Sequence, residues 1–227
     1  MENYKKYKPG DHHYRAYVGP FEDYDLIAAM VFNLLTCFGL RENHKTLDIG
    51  CGSLRCGRLL IPYLDKGNYF GNEPNHWLIE EAKKNILGND IFDIKKPQII
   101  FKDNLEEFKN FKFDYILAQS IFSHAGTDII EKYLTSLSSL FIDETLFFFT
   151  AIISEQASNK HGWFYPQCIS YEKEQLKDIF QKKNLEIFKI DFIHPRQSWF
   201  VCCKKSNEKL KNKILNFKEI TFNKRFK

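Results

Sequence analysis

The stretch from Thr46 to Asn75, TLDIGCGSLRCGRLLIPYLDKGNYFGNEPN, constrains this chain more tightly than any other. A short apolar run, Leu47 and Ile49, closes on Gly50-Cys51-Gly52. An amphipathic segment follows, then a second short strand, Tyr69-Phe70-Gly71, which ends at Glu73. Strand, glycine turn, helix, strand and acid form the smallest unit that holds an adenosine-bearing cofactor at the carboxyl edge of a parallel sheet. Glycines let the backbone turn sharply and approach a ligand closely, and the following helix presents free N–H groups at its start. The acid, about twenty residues on, accepts hydrogen bonds from ribose hydroxyls.

The details of the loop narrow the choice. A dinucleotide site calls for G-x-G-x-x-G, and Arg55 stands where the third glycine belongs. Asp48, two residues before the first glycine, ends its strand where it can bond the loop or a cationic amino group. The competing reading is a plain strand–helix turn with no ligand, and the landmarks downstream weigh against it.

At 227 residues the chain is long enough for one substantial core, and its 22 Phe and 11 Tyr supply the apolar mass for it. Met1 to Gly10 is polar and lysine-rich with no apolar run behind it, so no secretory signal is expected. The longest apolar run, Leu146 to Ile153, is strand-sized, far short of the roughly 18 residues that span a bilayer. The six cysteines (Cys37, Cys51, Cys56, Cys168, Cys202, Cys203) show no C-x-x-C spacing. They are expected as reduced thiols of a cytoplasmic protein, several in the core, with no metal site. The net charge of +4 hides an asymmetry. Residues 204–227 carry nine Lys/Arg against two Glu, and the remainder holds 24 basic and 27 acidic residues. The body is therefore slightly acidic, and no nucleic-acid partner is expected of it.

Along the chain, strand and helix patterns alternate. Tyr24 to Leu40 has helical periodicity, preceded by an aromatic segment, GDHHYRAYVGPFEDYD. After Glu73 a helix is expected over Trp77 to Asn85, capped by Asn75. Strands are expected over Pro97–Phe101, Phe113–Ala118 and Thr145–Ile153, with a helix over Thr127–Leu140 between the last two. A helix over Tyr171–Lys183 and two strands, Glu186–Phe192 and Ser198–Cys203, close the pattern. The alternation predicts a doubly wound α/β fold with helices on both faces and a terminal antiparallel hairpin. The expected division is an N-terminal helical cover (1–40), a cofactor-binding core (41–205) and a basic tail (206–227). In the tail, Leu210, Ile214 and Phe217 fall on one side of an amphipathic helix, expected to pack loosely.

Asp48, Gly50 and Gly52 fit D-x-G-x-G, and here the chain resembles motif I of the class I S-adenosylmethionine (SAM)-dependent methyltransferases. Many members carry another glycine where Leu54 stands. The run from Gly50 to Ile61, GCGSLRCGRLLI, is similar to the loop of a small bacterial group, in which Gly57 takes the close-packed position. YRAYVGP, Tyr14 to Pro20, resembles the N-terminal element of that group. The resemblance implies a Rossmann-like, seven-stranded, mostly parallel sheet, with SAM as cofactor and S-adenosylhomocysteine (SAH) as product. It places Asp48, Gly50, Cys51, Gly52 and Ser53 under the methionine portion and Glu73 at the ribose. Asp103 or Asn104 is then expected at the adenine, and Gln119 and Ser120 near the sulfonium.

His124 stands just beyond the fourth strand, where a base for a hydroxyl acceptor is reached, and imidazole titrates near neutrality. A pocket-shaping role without proton transfer is the alternative for it. Candidate substrate contacts are His13, Arg15 and Tyr17 in the cover, His161 and Trp163 after the fifth strand, and His194 and Arg196 in the hairpin turn. Arg15 or Arg196 suits a phosphate or carboxylate. Together these describe a small polar acceptor under an aromatic, histidine-rich lid.

The leading expectation is methyl transfer to an oxygen of a small molecule. The resemblance implies bacterial surface-polysaccharide (capsule) pathways, in which sugars or an O-methyl phosphoramidate group are methylated. RNA methylation is a rival, as is a protein acceptor. Enzymes acting on exocyclic base amines carry [DNS]-P-P-[YFW] where this chain has Gln119-Ser120-Ile121-Phe122. A non-catalytic SAM-binding module is a third class. A nicotinamide-dependent dehydrogenase comes last, since Arg55 breaks the fingerprint and neither Tyr133 nor Tyr171 has Lys four residues on. Oligomeric state is not legible.

Overall fold

The structure is a computed structural model that describes residues 6–158 and 160–217. Its centre is β5 (Phe141–Ile153), whose side chains alternate between two covered faces. Phe147, Phe149 and Ala151 pack on one face, Leu146 and Phe148 on the other. A strand projects successive side chains to opposite faces, so a run this apolar requires cover on both sides. On the first face Phe149 stacks against Phe180 of α6 (Lys173–Gln181) and Phe200 of β8 (Ser198–Lys204), with ring centroids 4.9 and 5.2 Å apart. Leu134 and Leu137 of α5 (Thr127–Ser138) complete that layer. The second face is covered by α1 (Tyr24–Cys37) and α2 (Gly57–Tyr63). Each fully buried Phe contributes about 1.5–3 kcal/mol of transfer free energy.

The sheet runs β3-β2-β1-β4-β5-β8-β7 along its main path, with β6 (Ser170–Tyr171) beside the end of β5. Strands β1 (Thr46–Ile49), β2 (Tyr69–Asn72), β3 (Gln98–Ile100), β4 (Phe113–Ala118) and β5 are parallel. The chain winds one way from β1 to β3 and the other way from β4 onward. The order therefore reverses between β1 and β4, where open α/β sheets bind ligands beyond their carboxyl ends. β8 is antiparallel to both β5 and β7 (Leu185–Ile190), and Ala151 pairs with Ser198. That register brings the β7–β8 turn, with His194 and Arg196, to the same sheet edge as the ends of β1, β2 and β4.

Some expected boundaries move, each for a local reason. The helix after Glu73 is shorter: α3 (His76–Ala82) passes into a wider π turn, Lys83–Leu87, ending at Gly88. Asn75 sits at its N-cap, but its side chain donates to Glu73 instead of capping. An unforeseen α4 (Asn89–Lys95) follows, short and without a buried residue, so it leaves no periodic signal. Tyr171 belongs to β6, and its phenol donates to the Phe122 carbonyl at 3.0 Å. The tail packs more firmly than expected. In α7 (Glu208–Leu215) Leu210 and Ile214 are buried, Phe217 stacks on Phe38 at 4.6 Å, and Lys213 bonds the Phe38 carbonyl at 2.6 Å. The rest of the basic tail, 218–227, lies outside the described residues, as do residues 1–5 of the lysine-rich start.

Candidate functional site

The loop after β1 is built on left-handed residues. Gly50 and Gly52 have φ of +62° and +57°, conformations that exact little from glycine alone. A Cβ at Gly50 would lie 2.1 Å from Ile121 Cδ1, and one at Gly52 would lie 2.5 Å from Val18 Cγ1. Leu54 is also left-handed at φ +56° and fully buried, which accounts for glycine being usual there in the resembled motif. Gly57 is close-packed between the Tyr69 hydroxyl and Leu54. Asp48, 3% exposed, bonds neither the loop nor a cation: it accepts from the Tyr69 hydroxyl at 2.9 Å. Burial pushes its carboxyl up to about 7, partly opposed by the Tyr69 bond and by the charge of Arg55.

Glu73 ends β2 and faces the loop. Its Oε2 accepts from the Gly52 N–H at 3.0 Å. Its Oε1 accepts from the Asn75 backbone at 2.8 Å and the Asn75 amide at 2.7 Å. Burial raises its pKa, and these three donors oppose the rise by favouring the charged form. A carboxylate offers about four lone-pair sites, so capacity remains for a ligand hydroxyl. Asp103 is in the wall after β3, where its carbonyl accepts from the Tyr133 hydroxyl at 3.4 Å. Asn104 turns away and accepts from the Glu106 N–H at 3.1 Å, a local loop bond.

At the end of β4, Ser120 is left-handed (φ +62°), and its N–H donates to Thr150 Oγ1 at 2.8 Å. Its hydroxyl accepts from the Gln197 amide at 2.9 Å. His124 lies in the single turn Phe122–His124 that follows. Its Nδ1 is 2.7 Å from the Gln167 carbonyl, which can only accept, so the proton is on Nδ1 and Nε2 carries the free lone pair. Burial lowers its pKa, with the Gln167 bond opposing. The segment after β5 is laced to this turn: the Phe164 N–H donates to the His124 carbonyl at 2.8 Å, and the Ile169 N–H to that of Ser123 at 2.8 Å. Tyr165 packs edge-on against the imidazole at 5.0 Å.

These elements enclose a cavity of about 710 Å³. Of the residues expected at a site, Gly50, Gly52, Glu73, Asp103, Gln119, Ser120, His124, Tyr17, Trp163, His194 and Arg196 line it. Asp48 and Cys51 lie beneath the loop, with the thiol packed toward Gly71. Ser53 is tied to the cover, donating to the Tyr14 carbonyl at 2.7 Å and bonded by Tyr24. His13 is packed in an aromatic group with Tyr7, Tyr14 and Phe21, and Arg15 pairs with Asp25 at 3.0 Å. His161 is exposed beside Asp128. None of these six, nor Asn104, reaches the cavity wall.

Sequence reasoning missed Arg55 as a wall residue. It is 7% exposed, donates from Nη1 to the Val18 carbonyl at 2.7 Å, and donates from Nη2 to Gln119 Oε1. A charge where the dinucleotide fingerprint has its third glycine was the available signal. Gln197, Cys168, Lys132 and Tyr133 were also missed, being scattered over turns and one helix face.

Residues 47–144 match the family model of a methyltransferase domain. No curated protein sequence matches the chain. Among solved structures, the SAH complex of DhpI shares 15% identity over 88% of this chain and 94% of that one, with a TM-score of 0.61. The mitomycin 7-O-methyltransferase MmcR shares 12% over 82% of this chain and 55% of its own, TM-score 0.60. Magnesium protoporphyrin IX methyltransferase from Synechocystis PCC 6803, with SAM bound, shares 11% over 81% of both chains, TM-score 0.57. The chain thus has the Rossmann-like methyltransferase fold, with a cavity at its topological switch point.

Proposed function

We propose that this chain is a SAM-dependent methyltransferase. Its acceptor is an oxygen of a small polar molecule, a sugar or phosphate-bearing metabolite of bacterial capsule biosynthesis. The observation that carries the reading is Glu73 locked to the Gly52 N–H at the edge of a cavity that also holds His124. The methyltransferase-domain match over residues 47–144 and the SAM and SAH complexes among its structural relatives support it.

The residues present fit the cofactor. Glu73 has lone-pair capacity for ribose, Leu78, Ile129 and Tyr133 offer apolar walls for a base, and the left-handed glycines permit close backbone approach. A volume of about 710 Å³ leaves room for a small acceptor beside it. When bound, SAM supplies a methyl group on a good leaving group, so alignment and exclusion of water are the protein's main tasks. Tyr17, Tyr165 and Trp163 line the cavity from the N-terminal segment and the loop after β5. His124 Nε2 takes the acceptor hydroxyl's proton, and Nδ1 keeps its bond to the Gln167 carbonyl, which then stabilises the imidazolium.

The test is transfer of labelled methyl from SAM to a panel of sugar phosphates and nucleotide sugars. Label in an O-methyl product, with SAH formed in equal amount, is the expected result. Label entering RNA or protein instead would contradict the small-molecule reading. SAH binding with no transfer to any pool would point to a non-catalytic module.

A further inference from the structure

We infer that Arg55, with His194 and the Gln119 amide, forms a subsite for an oxyanion carried by the acceptor, a phosphate or a carboxylate. This rests on the methyltransferase reading above and assigns a chemical class to the acceptor.

The argument begins with an unpaired charge. Arg55 is more than nine-tenths buried, and among the described residues no carboxylate lies within ion-pair distance of it. Its two bonds go to neutral oxygens, the Val18 carbonyl and Gln119 Oε1, and its Nε is buried with no partner. Guanidinium does not lose its proton in proteins, so burial cannot be relieved by neutralisation. A buried charge without a counter-charge is strongly unfavourable. Asp48 feels the charge of Arg55 without an ion pair, and burial pushes that carboxyl up toward its neutral form.

The second observation is a surplus of donors beside it. His194 Nδ1 accepts from the N–H groups of Arg196 and Gln197 at 3.2 and 2.9 Å, so in the neutral ring the proton sits on Nε2. That Nε2 lies 3.3 Å from Gln119 Nε2, the amide donor, because Gln119 Oε1 is taken by Arg55. Flipping the amide would only move the conflict to Arg55. Two donors therefore face each other beside a buried cation, an arrangement completed by an acceptor-only, negatively charged group. Protonating His194 offers no relief, since burial and the charges of Arg196 and Arg55 push its pKa down to about 4. Arg196 adds positive potential at the rim but is paired with Asp23. Gln197 Oε1, buried without a donor, suits a hydroxyl of the same acceptor.

Position separates the Gln119 and His194 members of this subsite from the Glu73 end, and Arg55, which follows β1, reaches across to Gln119. Glu73 and Asp103 follow β2 and β3, whereas Gln119 and His194 follow β4 and β7, on the other side of the switch point. The carboxylates suit the hydroxyls and amine of adenosine, and the donor cluster suits an anion.

An oxyanion in this cavity has two sources, the acceptor and the cofactor's own carboxylate, and calorimetry distinguishes them. Inorganic phosphate is titrated into the protein with and without saturating SAH. SAH and methylthioadenosine, which lacks the carboxylate, are titrated separately. In Arg55→Met, phosphate affinity is expected to fall at least tenfold while SAH affinity changes less than threefold. Arg55→Lys, which keeps the charge without the fork, is expected to lose three- to tenfold and provides the comparison if Arg55→Met does not melt cooperatively. Undiminished phosphate binding in these variants, or its absence from wild type, would overturn the subsite. Loss of SAH but not methylthioadenosine in Arg55→Met would also overturn it, by giving the guanidinium to the cofactor. Phosphate binding lost in Arg55→Met from a protein that never binds SAH would sustain the subsite and sink the methyltransferase reading instead.

Discussion

The two ends of the cavity are built differently. At the Glu73 end, a carboxylate is fixed by three N–H donors from residues within its own β1–β2 unit and the turn after it. At the His194 end, Arg55, Gln119, His194 and Gln197 come from the glycine loop, the end of β4 and the β7–β8 turn, and their donors and acceptors do not balance. A self-satisfied site is set before ligand arrives, and an unbalanced one is completed by it. That contrast matches a constant cofactor at one end and a particular acceptor at the other.

Breaking the acceptor side alone gives the largest expected effect. His124→Ala should lower kcat by about 10²–10⁴-fold, the usual range for a general base, with SAH affinity unchanged within twofold. Because burial lowers the His124 pKa, the ring stays neutral as pH falls through its ordinary value. The wild-type rate should therefore hold to below about 6.5 before falling, and that acid limb should vanish in the variant. An unchanged profile would leave His124 a pocket-shaping residue.

Breaking the floor shared by both ends comes next. Gly50→Val places a β-branched residue at φ +62° with its Cβ 2.1 Å from Ile121 Cδ1. Left-handed strain and overpacking together should cost about 2–5 kcal/mol in a denaturant melt, with SAH binding lost. A stable Gly50→Val protein that binds SAH would show that the loop does not carry the site.

The smallest effect sharpens the comparison, because Asp48 sits under the floor and outside the cavity. Its pKa is raised in the folded state, to about 7 from an ordinary 3.8, so between those values the folded chain binds the extra proton. Stability then falls as pH rises through that window. His124 and His194, with lowered pKa values, contribute in the opposite direction below about 6.5. Asp48→Asn removes only the Asp48 part. Its Tm advantage over wild type should grow from pH 4 to pH 7, and a difference flat with pH would contradict the buried-acid account.

Legibility in the sequence follows the same divide. Glu73 and the loop it bonds lie within thirty contiguous residues, and the strand–helix alternation, the terminal hairpin and the loop glycines follow from pattern and spacing. Glu73 and the glycines fall near one another, though Asp48 turns to Tyr69, and Asn104, expected beside them from after β3, turns to Glu106. The His194 end depends on register: Ala151 opposite Ser198 brings the β7–β8 turn over β4, which no local pattern encodes. Arg55 was visible only as a missing glycine, since the sequence does not say which way a charged side chain in a buried loop will face. Conversely His13, Arg15 and His161 were chosen by residue type, and ring packing, an ion pair with Asp25 and an exposed place beside Asp128 hold them elsewhere.

The most direct test of the central claim is calorimetric titration of SAH into wild type and Glu73→Ala. A charge-assisted bond to a ribose hydroxyl, at about 1.5–3 kcal/mol, predicts tight binding by wild type and a loss of roughly 10- to 150-fold in the variant. Equal affinity in the two proteins, or no SAH binding by folded wild type, would contradict it.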